Sequence, residues 1–166
     1  MTNIDDALIR TPFGAVALAV HNGQLAIELL PAKAGDAIEV VKHSHNPFVA
    51  DACRQIIAYL QNPGFSFDIP ISQYGTAFQQ RVWQSIAEIP VGQVRTYAQL
   101  ARRIGSGPRA VANACGANHL PLVVPCHRVV AQNGLGGFMQ GKQNGLLIKQ
   151  WLLKHEDALI GVTGCE

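Results

Sequence analysis

A cysteine and a histidine stand side by side in the stretch Pro125-Cys126-His127-Arg128. Together they could act as a nucleophile and the base that activates it. Thiolate is the strongest nucleophile among ordinary side chains, and imidazole is the side chain that exchanges a proton near neutral pH. A free thiol has a pKa of about 8.5, so only about 3% is thiolate at pH 7 unless a neighbouring base or cation changes the balance. His127 and Arg128 supply one group of each kind. The same residues also suit a small buried cysteine beside a structural histidine, because free cysteine is among the most buried residue types.

The elements that must hold this pair can be read around it. Leu120, Leu122, Val123 and Val124 precede Pro125, and Val129-Val130 follow. A β-branched and aliphatic run ended by proline predicts a buried strand that stops there, with Cys126 and His127 at its mouth. Asn118-His119-Leu120-Pro121 breaks the chain before that strand, and Gln132 to Gly137 is a glycine-rich loop that reads as a lid or pocket wall. A last helix is predicted from about Leu146 to Glu156, with Leu147, Trp151 and Leu152 as its buried face. It ends on Glu156, the first carboxylate in the chain since Glu88.

Upstream, Thr76 with Gln79 and Thr96 with Gln99 are capping boxes that start two helices. The first carries Phe78, Val82, Ile86 and Ile89 on one apolar face. Trp83 beside them reads as core rather than a stacking platform. The second helix, Tyr97 to Ile104, is followed by Gly105-Ser-Gly-Pro108 and a third from Arg109 to about Ala117. Helix, short glycine turn, helix is the helix-turn-helix pattern, although two short packed helices also occur in any bundle. The third helix is rich in alanine and glycine. That suits tight helix packing, or a recognition helix too poor in side chains to read bases, with Arg109 near phosphates or the base stack.

The first half predicts a small α/β support. Val16–Val20, Asn22-Gly23 and Leu25–Leu30 form a β-hairpin pattern; Pro47 to Leu60 has helical spacing; and Phe65 to Ile69 alternates like a strand. His43 and His45 could share one face, but without further ligands they predict no metal site.

Composition narrows the classes. The chain has 166 residues, 48% hydrophobic and 14% charged, which excludes a disordered or coiled-coil protein. No stretch is long enough and apolar enough to span a membrane. The acidic N-terminus lacks signal-peptide character, so a cytoplasmic location is expected. Cys53, Cys115, Cys126 and Cys165 include no Cys-x-x-Cys pair and should be free thiols in a reducing compartment. The net charge of +2 is divided unevenly. Residues 1–75 carry four basic and seven acidic side chains, and residues 76–166 carry nine and four. Arg95, Arg102, Arg103, Arg109, Arg128, Lys142 and Lys149 lie in a span without one acid, as a phosphate-facing surface or a solvated basic face would. The split predicts domains at 1–72 and 73–166.

In order, Gly75-Thr-Ala-Phe-Gln-Gln, Gly92-Gln-Val-Arg-Thr-Tyr97, Arg109-Ala-Val, Asn118, Val124-Pro-Cys-His-Arg-Val129 and Lys149-Gln-Trp-Leu-Leu-Lys-His-Glu156 resemble the O6-methylguanine–DNA methyltransferase family over residues 72–158. The resemblance implies a small α/β domain (a β-sheet with a helix) followed by a mostly α, winged-helix-like domain with a helix-turn-helix. It implies irreversible transfer of an alkyl group from guanine O6 to Cys126, once per molecule, on a base flipped out of double-stranded DNA of any sequence. His127 would draw the thiol proton through a water, Glu156 would orient the imidazole, and Asn118 would organise the turn. Tyr97 would donate a proton to the leaving guanine. Backbone near Val129 and Met139 would hold the guanine edge, Arg109 would fill the gap, and Ala110, Thr76 and Gln132 would face DNA. No cofactor or metal is implied. The protein is expected to act as a monomer, with cooperation along DNA left open. Departures from the family pattern are a shorter turn before Arg109, His119 in place of a proline, Phe138-Met139 in place of Tyr-Ser, and an insertion over 141–145. A lesion-binding relative without transfer, a multiple-turnover thiol hydrolase, and a sequence-specific regulator are the competing readings.

Overall fold

The computed structural model describes residues 6–32, 35–71, 73–138 and 145–158, and the chain divides into two compact units, Met1–Gln73 and Tyr74–Glu166. In the first unit four strands form an antiparallel sheet in the order β3-β2-β1-β4. They are β1 (Ala7–Thr11), β2 (Gly14–His21), β3 (Gln24–Pro31) and β4 (Glu39–Lys42). The β2–β3 hairpin closes His21 on Gln24, and its two turn residues, Asn22 and Gly23, have φ of 52° and 76°. That is the left-handed pair a tight hairpin turn requires. Helix α1 (Pro47–Gln61) packs on β1 and β2, burying Val49, Ala52, Cys53, Ile56, Tyr59 and Leu60. Its start is set by Asn46, whose side-chain oxygen accepts from the amide of Phe48 at 2.9 Å, with proline in the first turn.

The alternating stretch Phe65 to Ile69 is not a strand. The Gln55 side chain takes the backbone bonds a sheet neighbour would have taken: its oxygen accepts from Asp68 N at 2.7 Å and its nitrogen donates to Asp68 O. The aromatic rings pack locally, Phe67 against both Tyr59 and Phe65.

The second unit is mostly helical. Both capping boxes are formed, Thr76 starting α2 (Ala77–Ala87) and Thr96 starting α3 (Tyr97–Ile104). Gly105, at φ 72°, ends α3, and Pro108 opens α4 (Pro108–Gly116), which completes a helix-turn-helix. Trp83 is core: it is buried on α2, and its indole donates to Ala114 O of α4 at 2.8 Å. Two short parallel strands, β5 (Arg95–Thr96) and β6 (Val129–Val130), tie the start of α3 to the segment after Cys126.

Two further expectations are corrected in the second unit. The apolar run before Pro125 is buried but is a turn, not a strand, and Leu122 sits at φ 77°. Prolines at 121 and 125 cannot donate to a ladder, and Asn118 supplies local bonds instead. Cys126–Arg128 forms a single 3₁₀ turn, and the strand begins only at Val129. Helix α5 (Gly145–His155) exists but presents a different face. Ile148, Lys149, Leu152 and Leu153 are buried, whereas Leu147 is 62% exposed and Trp151 is half-buried and stacked on His155. The cause is Lys149, whose charged end is anchored inside and turns the helix away from the purely apolar pattern.

Candidate active site

Asn118 organises the turn that delivers the thiol. Its side-chain oxygen accepts from Leu120 N at 2.9 Å. Its amide nitrogen donates at 3.0 Å to both Val124 O and Cys126 Sγ. One side chain thus fixes the loop and places a donor on the sulfur. The Cys126 thiol in turn donates to the Cys115 carbonyl at 3.7 Å. Cys126 is buried, with 7% of the residue's surface exposed, so its sulfur is recessed.

His127 and Glu156 are both buried, and the imidazole Nε2 lies 2.7 Å from Glu156 Oε2. His127 Nδ1 is buried without a hydrogen-bond partner among the described residues. Its position suits a solvent-mediated bond, because a buried imidazole nitrogen left dry is costly. Glu156 also takes a two-pronged bond from Arg128, Nε to Oε1 at 2.9 Å and the terminal nitrogen to Oε2 at 3.0 Å. The other guanidinium nitrogen donates to Ile89 O at 2.6 Å. Arg128 therefore serves the carboxylate and not the thiol, unlike the sequence expectation.

The cation that acts on the thiol is Lys149. Its side chain is buried, and Nζ donates to three carbonyls: Val129 at 2.7 Å, Leu135 at 2.5 Å and Gly137 at 2.8 Å. Three donations use every proton of an ammonium group, so this arrangement holds the charged form. Burial pulls the group down to about 8, and the nearby Cys115 and Cys126 oppose that pull. Lys149 also faces the rings of Tyr97 and Phe138, each 6.0 Å from Nζ to ring centroid.

These contacts set the protonation states. Cys126 is drawn toward thiolate by the hydrogen bond from the Cys115 thiol, then by Asn118 and the Lys149 charge, against burial. Burial keeps His127 neutral at pH values below the usual imidazole range, against the pull of Glu156, while Arg128 and Lys149 add to the effect. Tyr97 is pushed up to about 12, chiefly by burial, and remains a phenol able to donate. Its hydroxyl reaches Gly137 O at 3.4 Å, and its ring lies against Gly136, where an added Cβ would stand 2.8 Å from Tyr97 Cε2. The glycine-rich loop thus forms a wall pressed onto Tyr97.

Of the site residues read from the sequence, Cys126, His127, Glu156, Asn118 and Tyr97 come together around the 3₁₀ turn. Val129 adjoins them, but its amide donates to Cys126 O and its carbonyl already receives Lys149, leaving one lone pair for any other partner. Met139 and residues 141–144 lie outside the described residues. Arg109, Thr76 and Gln132 are exposed and Ala110 is half-buried. Sequence reasoning misses Lys149 and Cys115 as parts of the site and misplaces Arg128. A lysine in the midst of Leu146-Leu147-Ile148 and Trp151-Leu152-Leu153 is the available signal for the first. Among the described residues no group of three or more His, Cys, Asp or Glu is arranged to hold a metal ion.

Residues 77–158 match the family described as 6-O-methylguanine DNA methyltransferase, DNA binding domain. The methylated-DNA–protein-cysteine methyltransferase of Methanosarcina acetivorans is 35% identical across 90% of this chain and 96% of its own length. The constitutive enzyme of that name from Bacillus subtilis is 40% identical across 73% of each chain. Among solved structures, the Mycobacterium tuberculosis O6-methylguanine methyltransferase covers 93% of both chains at TM-score 0.67 and 29% identity. The same organism's protein in complex with DNA covers 96% of this chain and 98% of its own at TM-score 0.69 and 32% identity. With the helix-turn-helix, the recessed thiol and the buried His–Glu pair in place, these likenesses show that the chain belongs to the methylated-DNA–protein-cysteine methyltransferase family and carries its DNA-binding domain.

Proposed function

We propose that this protein repairs O6-alkylguanine in double-stranded DNA by moving the alkyl group onto its own Cys126. The observation that carries the reading is the recessed Cys126 sulfur, met by the Asn118 amide at 3.0 Å and followed in the chain by a neutral imidazole held on Glu156. Displacement at an alkyl carbon needs a soft, deprotonated nucleophile, which thiolate supplies. His127 Nδ1, without a partner among the described residues, takes the thiol proton through solvent, and Glu156 fixes the ring so that this nitrogen is the acceptor. The new bond joins Sγ to the alkyl carbon, and the bond from that carbon to guanine O6 breaks. The electron pair stays on the base, which receives a proton from Tyr97 as it leaves. Sγ becomes a thioether with no step to restore it, so each molecule acts once.

The target must leave the stack to reach a recessed sulfur, at a cost of a few kcal/mol that a poorly paired lesion reduces. Arg109, exposed in the first turn of α4, fills the resulting gap, while the side-chain-poor helix, Thr76 and Gln132 meet the backbone without reading sequence. The Val129 carbonyl, which also receives Lys149, accepts from the guanine edge on this reading. The protein acts as a cytoplasmic monomer on this reading.

Mixing the protein with duplex carrying O6-methylguanine should give one methyl per chain, mapped to Cys126 by mass spectrometry. Cys126→Ser should bind the duplex and leave the lesion intact. Sustained turnover, or a methyl on Cys53 or Cys115, would falsify the proposal; turnover on an ester without DNA would favour the hydrolase.

A further inference from the structure

The glycine-rich loop has little to hold it from within. Past the Ala131–Gly134 bridge the chain runs to Phe138 without helix or strand, so its carbonyls take donors from elsewhere. Lys149, wholly buried on α5, supplies them. Its Nζ donates to Leu135 O at 2.5 Å and Gly137 O at 2.8 Å, and ties both to β6 through Val129 O at 2.7 Å. A buried ammonium needs acceptors and buried carbonyls need donors, so either side would be costly alone. The Gly137 carbonyl is shared. The Tyr97 hydroxyl donates to it at 3.4 Å, a long bond beside the short one from Lys149. The same loop stops the Tyr97 ring at Gly136, where a Cβ would stand 2.8 Å from Cε2 and 3.2 Å from the hydroxyl oxygen.

We propose that Lys149 is a positioning residue for the proton donor: by pinning the loop carbonyls it sets where the Tyr97 hydroxyl stands and leaves that hydroxyl weakly held. An oxygen that has given one lone pair to an ammonium is a poorer acceptor for a second donor, so the phenol proton is aligned yet free to move. When the bond from the alkyl carbon to guanine O6 breaks, its electron pair stays on the base, and the base takes the Tyr97 proton. The phenolate regains a proton from solvent, in place of the one Cys126 gave up. Lys149 gives up none of its own. This role is separate from the pull of the Lys149 charge on Cys126, and chemistry can divide the two. Iodide leaves without a proton, so alkylation of Cys126 by iodoacetamide reports the thiolate alone, whereas methyl transfer from guanine needs the thiolate and the donor.

The inference rests on the alkyl-transfer reading. The full chain is assayed at one pH for single-turnover methyl transfer from saturating O6-methylguanine duplex and for Cys126 labelling by iodoacetamide. Tyr97→Phe should slow methyl transfer by about a hundredfold, as loss of a general acid does, and leave labelling alone. Lys149→Met should slow both, because charge and clamp go together, but methyl transfer by about tenfold more, the cost of a displaced donor. Added to Tyr97→Phe, Lys149→Met should lower methyl transfer only by the factor it costs labelling. Gly136→Ala keeps Lys149 while forcing loop and ring apart; it should show the same excess, and it carries the test where Lys149→Met does not fold. Equal losses of the two activities in Lys149→Met overturn the inference and leave the repair reading standing. An excess that survives in the Tyr97→Phe background, or a Gly136→Ala that matches the wild type in both assays, does the same. A wild type that moves no methyl to Cys126 overturns the repair reading itself, and the inference falls with it.

Discussion

Cys126 and His127 are adjacent in the chain, yet their surroundings drive them toward opposite ends of a proton transfer. Cys126 is met by the Asn118 amide, and the nearby Cys115 and the Lys149 ammonium also draw it toward its anion. His127 is met by a carboxylate that a guanidinium already occupies. Arg128 spends the charge of Glu156 on itself, so burial prevails and the ring stays neutral. Successive side chains in a 3₁₀ turn point about 120° apart, which is how neighbours reach such different partners. The lesson is that the site makes a donor and an acceptor from one short turn by dividing its two cations, the buried Lys149 on the sulfur side and the part-buried Arg128 on the imidazole side.

The strongest way to break this contrast is Glu156→Gln. It leaves the Arg128 guanidinium without its counter-charge and His127 without its orienting carboxylate. Removing one partner of a buried ion pair costs about 3–5 kcal/mol, which urea unfolding would register, and methyl transfer should fall with it. A variant as stable as the wild type would show that Arg128 finds another acceptor. Linkage adds a signature in the unmodified protein. His127 is held below its ordinary 6.5 in the folded state, so between those values the unfolded chain binds more protons. Stability should therefore rise with pH across that window and fall as the pH drops through it.

Lys149→Met attacks the sulfur side. The three carbonyls lose their shared donor, at about 1–3 kcal/mol for each left unsatisfied, less what solvent recovers. Iodoacetamide labelling of Cys126 should need a higher pH, because the cation that favours the thiolate is gone. His127, whose neutral state Lys149 also supports, should titrate slightly higher, a shift visible by NMR. Loss of stability with no change in the labelling profile would assign Lys149 to architecture alone. Thr96→Ala is milder still. It removes the cap beneath Tyr97 at about 1 kcal/mol and should leave the Cys126 labelling profile in place, because Lys149 and Arg128 are held by other partners.

Much of the scaffold is legible in the sequence because local chemistry decides it. Asn22-Gly23 demands a hairpin, Thr76 and Thr96 demand helix starts, and Gly105 and Pro108 punctuate the two helices between them. What escapes depends on bonds from side chains to backbone that composition and alternation do not announce. Phe65 to Ile69 alternates like a strand, but Gln55, far back in the sequence, claims its backbone. The run before Pro125 has strand composition, but Asn118 bends it into a turn that aims the thiol. β1 and β4 are hidden because Arg10 and Lys42 interrupt short runs that only pairing with each other and β2 makes into strands. Cys126, His127 and Glu156 can be named from spacing and family pattern. The division of Lys149 and Arg128 cannot, since both are simply basic residues until their partners are known.

Arg109→Ala tests the boundary of the contrast rather than either side of it. Arg109 is exposed in the first turn of α4, so its removal should change stability by no more than about 0.5 kcal/mol. Both halves of the proton transfer then remain intact, and methyl transfer from free O6-methylguanine should proceed at the wild-type rate. On duplex DNA the same variant loses the group that fills the gap behind the flipped base. If that group offsets about 1.4 kcal/mol of the few lost on flipping, repair should slow about tenfold. Equal losses on free base and duplex would place Arg109 within the chemistry of the turn, and the contrast would have to be redrawn to include it. Equal retention on both would remove it from the reaction and leave the basic surface as a whole to hold the distorted duplex.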